Sequence, residues 1–218
     1  MRNALLLFLA VFFLACNSSD KHKKTGGKIF SIADNQEGED EITCWGIGGI
    51  ELDNDLTSLE EKAGKENVSM DSLFLEGDFD GFVTTLWKGS DREIVVHWKE
   101  NQAPYTNIEF LEISRPSSPY HFVNGIKIGT SLNDIVKLNG DTPVSLYGFG
   151  WDYGGTFVDF NKGKLAGEIP CFGGVFALPD SLHTEDVKTV MGDMKISSAD
   201  PVFKKYQASL EKIRVRNL

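Results

Sequence analysis

The strongest constraint on how this chain can fold is a repeat within it. Residues 49–68 align without gaps on residues 125–144, and the aligned pairs include Gly49/Gly125, Ile50/Ile126, Leu56/Leu132, Gly64/Gly140 and Val68/Val144. Leu52/Ile128 and Leu59/Ile135 match in kind. The physical roles repeat as well. Polar residues that suit a helix start (Asp55 or Thr57 with Glu60, then Ser131 with Asp134) precede apolar residues at helical spacing, Leu56/Leu59/Ala63 and Leu132/Ile135/Val136. Each run stops at a glycine, Gly64 or Gly140, which can take the left-handed conformation that ends a helix.

After each helix the spacing turns to period two. Strands are predicted over 82–88, 92–99 and 106–114 in the first copy and over 145–153, 156–161 and 164–169 in the second, with turns at Gly89-Ser90-Asp91, Gly154-Gly155 and Lys162-Gly163. A further short strand is expected at 175–178 and a short helix at 181–191. Asp200-Pro201, followed by Val202, Phe203, Tyr206, Leu210 and Ile213, predicts a C-terminal amphipathic helix. The expected fold class is α+β: two tandem units of a short helix packed on an antiparallel β-meander, residues 28–120 and 121–218, plus that helix.

The second copy has a recognisable pattern. Ile128-Gly129-Thr130-Ser131-Leu132-Asn133-Asp134-Ile135-Val136, then Asn139-Gly140-Asp141-Thr142-Pro143, Trp151-Asp152-Tyr153 and Val158-Asp159-Phe160, resembles the signature of SmpA/OmlA-type lipoproteins of the outer-membrane assembly machinery. It also resembles the related tandem fold of the β-lactamase inhibitor proteins. The resemblance implies a helix on a meander, made twice, and a concave sheet face used for binding. The first copy lacks the Gly-Thr and Trp-x-Tyr elements, and the tail beyond Phe172 has no counterpart.

The N-terminus adds a location. Arg2 is followed by an unbroken apolar run over 4–15, then Cys16 and Asn17-Ser18-Ser19-Asp20. A charged start, a short apolar core and a small residue at the break read as a secretory signal peptide over 1–15. The run is shorter than the roughly 20 residues a membrane-spanning helix needs. Phe13-Leu14-Ala15-Cys16 resembles the lipobox of bacterial lipoproteins, which implies acylation of Cys16 and a membrane partner through the lipid anchor. Asn17 rather than Asp after the cysteine leans, by that resemblance, toward the outer membrane. Residues 16–27, with Lys21, His22, Lys23, Lys24 and Gly26-Gly27, read as a flexible tether.

Removing Cys16 leaves Cys44 and Cys171. In an oxidising compartment a remainder of two is what one disulfide predicts, and two buried free thiols are the alternative. No CxxC or paired-histidine spacing accompanies either cysteine, so neither a metal nor any other cofactor is expected.

Charge and motif content narrow the function. Twenty-two Lys and Arg against 32 Asp and Glu give a net charge of −10, which offers no electrostatic footprint for nucleic acid. The four histidines are dispersed, and no nucleophile elbow, zinc-protease helix motif, P-loop or dinucleotide fingerprint occurs. Glu76-Gly77-Asp78-Phe79-Asp80-Gly81 is similar to the start of a calcium loop. Its twelfth position is Trp87, where a bidentate Glu is required, so a turn between strands is expected instead. What stands out is the aromatic content of the strands. Trp151 and Tyr153, with Trp87 or Trp98, are expected on a sheet face left uncovered by helices, where they would contact an envelope protein or glycan. The competing expectation is that these rings pack beneath the helices. A non-catalytic envelope binding module is the favoured reading, and an envelope enzyme of hydrolase type, using carboxylates that the sequence does not single out, is the alternative.

Overall fold

Two eight- and seven-residue helices begin where their caps allow. Asp55 accepts a hydrogen bond from the Ser58 amide at 2.7 Å and starts the helix Leu56–Ala63, which buries Leu59 and Ala63. Ser131 accepts from the Asp134 amide at 3.1 Å, which caps the start of Leu132–Leu138, and its hydroxyl donates to the Asp134 carboxylate at 2.7 Å. The computed structural model describes residues 36–217 apart from Glu76. The signal run 1–15, Cys16 and the tether 16–27 lie outside the described residues.

Five α-helices are described: α1 Gln36–Glu39, α2 Leu56–Ala63, α3 Leu132–Leu138, α4 Leu165–Glu168 and α5 Val202–Lys205. The strands are β1 Glu41–Thr43, β2 Gly46–Ile47, β3 Ile50–Glu51, β4 Val68–Leu75, β5 Asp78–Leu86, β6 Ile94–Trp98, β7 Ile108–Ile113, β8 His121–Phe122, β9 Ser145–Tyr147, β10 Phe157–Asp159, β11 Phe172–Ala177, β12 Lys195–Ser197 and β13 Ser209–Arg216. They form three sheets, ordered β3-β2-β1-β8, β10-β9-β12 and β11-β13-β7-β6-β5-β4. The chain is thus mixed α+β.

The six-stranded sheet is antiparallel throughout, and its register separates two faces. Phe172, Val215, Leu111, Val96, Thr84 and Met70 lie in one row across all six strands. The central four of these are fully buried, and Val215, Leu111 and Val96 belong with Leu59, Ala63, Leu132 and Ile135 of the helices to the hydrophobic core. The neighbouring row, Gly173, Arg214, Glu112, Val95, Thr85 and Ser69, points to the opposite face and is largely polar. The sheet takes β4 to β7 from before residue 120 and β11 and β13 from after it, joined where β7 pairs with β13. Cys44, after β1, is disulfide-bonded to Cys171, before β11, with Cα atoms 5.3 Å apart.

Three local expectations are corrected. The C-terminal helix is a single turn, α5, followed by the strand β13. Leu210 and Ile213 are three apart because β13 bulges there: Val175 pairs with Lys212 and Phe176 with Leu210, leaving Glu211 without a cross-strand partner. One inserted residue converts strand alternation into apparent helical spacing. Residues 164–169, expected as a strand, hold the short helix α4, with Leu165 buried. The strand expected over 145–153 ends at Tyr147, and the chain then turns.

Candidate functional site

The turn after β9 builds the most developed surface feature. Gly148 brings the backbone against residues 190–192 so closely that a Cβ on it would lie 2.4 Å from the Gly192 carbonyl oxygen. Gly155, at φ +72°, lies against β11, where a Cβ would fall 1.9 Å from the Phe176 oxygen. Between these two contacts the chain loops outward, closed by the Gly154 amide donating to the Trp151 carbonyl at 2.8 Å. The Trp151 indole N–H donates to the Gly148 carbonyl at 2.8 Å, which fixes the ring. Tyr147 and Tyr153 meet Trp151 edge-on, with ring centres 5.9 and 5.3 Å away. Trp151 is half-buried and Tyr153 is 46% exposed.

This turn forms one wall of a groove of about 580 Å³. Phe149 and Phe176, both buried, line it together with Leu182 and with Met191, which is bridged to Phe149. Asp152 and Glu211 supply its carboxylates. Glu211 is the bulged residue of β13, so the irregularity that breaks the strand pattern is also what aims this side chain at the groove. Rigid aromatic rings beside an apolar lining with two acidic groups suit the binding of a sugar face or a peptide side chain.

The structure brings Trp151 and Tyr153 together, by a turn rather than by strand alternation. It separates Trp98 from them. Trp98 shares the buried face with Thr84, to whose hydroxyl its indole donates at 2.8 Å, and it is 6% exposed. Its expected place on an uncovered face is therefore corrected: the register of β6 turns it into the core against Tyr105. Trp87, at φ +49°, packs partly against the core and lines a different groove with Glu66, Asn67 and Arg92.

The opposite face of the six-stranded sheet holds a polar cluster that the sequence reading did not assemble. Glu112 of β7 is 6% exposed, accepts from Arg214 Nε at 2.6 Å and has Lys212 Nζ at 3.4 Å. Burial pushes the Glu112 carboxyl up, but Arg214 and Lys212 together hold it below the usual range. His97 stacks on Phe110 with ring centres 4.0 Å apart, and the Arg214 guanidinium covers the same Phe110 ring. Burial lowers the His97 pKa to about 4; the Glu112 charge opposes this shift, and Arg214 and Lys212 add to it. The alternation in Lys212-Ile213-Arg214-Val215-Arg216 is the signal that could have placed three cations on one sheet face.

The second feature missed is apolar. Met70, Phe74, Phe79 and Phe82, all on the β4–β5 hairpin, are 43%, 59%, 54% and 37% exposed. Phe79 touches both Phe74 and Phe82 edge-on. The sequence reading bounds no strand at 68–75, where β4 carries Met70 and Phe74. Among the described residues no group of His, Cys, Asp and Glu is placed to hold a metal ion, and no helix is long and apolar enough to cross a membrane.

No family model matches the chain, and comparison with curated proteins and with solved structures finds no match.

Proposed function

We propose that this chain is a non-catalytic binding module of the bacterial cell envelope, lipid-anchored through Cys16 at the outer membrane. In this reading it holds an envelope protein or glycan in the groove beside Trp151 and Tyr153. The observation that carries the reading is Trp151, which lines a groove, is locked by a hydrogen bond to the main chain and is flanked edge-on by Tyr147 and Tyr153. A side chain held in place before binding loses little freedom when a partner arrives.

The same proposal takes the fold as a unit made twice. After α2 the strands run β4-β5-β6-β7, and after α3 they run β9, β10, β11 and β13, with β12 on an excursion. Thr156 bridges to Val175, so the second series is connected from β9 to β13, and the two series meet by their last strands. The SmpA/OmlA-type resemblance supports this reading and the envelope location.

The test is capture from detergent-solubilised envelopes by the full chain. Trp151→Ala and Tyr153→Ala should each reduce the captured partner about tenfold, in line with an interface anchor, while Tyr153→Ala leaves the melting temperature unchanged. Undiminished capture by both variants would sink the proposal. Asp152 and Glu211 on the same groove are what a hydrolytic alternative would use. If wild-type chain releases a cleaved partner and Asp152→Asn with Glu211→Gln releases it intact, that alternative replaces the binding reading. For the anchor, Cys16→Ser should move the protein from the membrane fraction to the soluble one; unchanged partition and mass would refute acylation.

A further inference from the structure

The edge of the six-stranded sheet carries an inference independent of the groove. We propose that β4 is an association edge for a second copy of this chain, paired antiparallel about a two-fold axis through Ser72.

Strand β4 is the last strand on its side of the sheet, eight residues long, and its outer edge pairs with no other strand among the described residues. Proteins usually blunt such an edge with Lys, Pro or a bulge in the edge strand itself. The sequence of β4, Val-Ser-Met-Asp-Ser-Leu-Phe-Leu, has neither Lys nor Pro. The bulge of this hairpin inserts Asp80 into β5, so β4 stays regular. Its one charge, Asp71, is bound by Lys88 at 2.5 Å and by the Thr85 hydroxyl at 2.8 Å, and both partners belong to this chain's own β5 region. The charge is thus turned inward along the sheet and guards the edge poorly.

The apolar residues say which pairing fits. Met70 and Phe74 share one face of β4 with Ser72 between them, and Phe79 and Phe82 of β5 extend that face. In an antiparallel pair, residues directly opposite share a face. An axis through Ser72 sets Met70 of one copy opposite Phe74 of the other, twice, and fuses the two aromatic patches on one side. An axis through Asp71 would set the two carboxylates face to face. One through Met70 would bring Phe74 opposite Glu66, and one through Leu73 would bring Met70 opposite Glu76. Of these registers only the one through Ser72 sets both Met70 and Phe74 opposite apolar residues, at the expense of Val68 opposite Glu76.

Size and charge set the strength. At about 200 Å² for each large side chain, the exposed parts of these four come to roughly 400 Å² per copy, half of what a standard interface buries on each side. The edge backbone adds hydrogen bonds. With each copy at −10, repulsion opposes pairing, so self-association is weak and strengthens with salt. A cationic partner strand on the same edge would bind less well as salt rises.

The decisive experiment places a single thiol on the axis. In the full chain carrying Cys16→Ser, Ser72→Cys faces its own copy across the two-fold, within the Cα separation a disulfide spans. Mild oxidation at about 100 µM protein should yield a covalent dimer. Ser69→Cys, whose copy lies well off the axis, should yield at least tenfold less. Sedimentation of the chain without added thiols should show dimer at that concentration, increasing with salt and lost in the Phe74→Asp variant, with circular dichroism confirming that the variant is folded. A monomer at every salt concentration, or equal cross-linking at positions 69 and 72, overturns the proposal.

Discussion

His97 shows how one side chain ties stability to pH. Its Nε2 is buried and, among the described residues, has no hydrogen-bond partner. The ring lies against Phe110, near a cluster with two cations and one carboxylate. A neutral imidazole tolerates that position and a charged one does not, so the folded state accepts the proton only near pH 4, against 6.5 for an ordinary histidine. Between those values the unfolded chain binds a proton that the folded one refuses. The contribution is fully present above pH 6.5 and is lost as pH falls toward 4, amounting to about 3 kcal/mol. Urea unfolding of wild type and His97→Leu across pH 4–7 checks this. The variant's stability should fall less steeply over that window, and parallel curves would show that the ring takes up its proton freely in the fold.

At the scale of elements, what could be read in advance depended on whether local chemistry or distant pairing decided the outcome. Helices α2 and α3 were legible because cap, apolar spacing and terminal glycine all act within a few residues, and Ser131 caps α3 through the Asp134 amide as its sequence suggests. The strands β5, β6 and β7 were legible from alternation between turn residues. Strand β13 was not, because the bulge at Glu211 is fixed by its partner β11 and leaves a helix-like imprint in the sequence. Strand β4 escaped for another reason: Ser72 and Asp71 interrupt its apolar content, and its length comes from pairing with β5. Of the site, Trp151 and Tyr153 were visible as residues. The groove beside them was not, since Met191 and Glu211 reach it from segments distant in sequence. The register between β7 and β13 has its own marker, Arg214 opposite Glu112. An ion pair with one side nearly buried tolerates no slip by one residue, which would leave the carboxylate unpaired in the interior.

Across the whole molecule, the disulfide spans the greatest sequence distance of any covalent tie, 127 residues, and ties the small sheet's β1–β2 turn to the start of β11. Closing a loop that long restricts the unfolded chain, so in the loop-entropy model Cys44→Ser with Cys171→Ser should lower stability by about 4–5 kcal/mol. Denaturant midpoints of wild type and the double variant measure it. A shift equivalent to less than about 1 kcal/mol would mean that the unfolded chain is already held compact without the bond.

The place of β13 has a consequence for how such a chain comes into being. Its residues, 209–216, lie near the end of the sequence, yet they fill the gap between β7 and β11. Strands β4 to β7 are neighbours in sequence and can pair one after another, but β11 joins them only through β13, so the sheet stays in two parts until that strand docks. Joining the two parts waits for β13, and the contacts that it then makes reach back more than a hundred residues, from Arg214 to Glu112. Such distant pairings make folding slow. The six-stranded sheet is thus completed by a strand that enters after both of its neighbours have been laid down in the sequence.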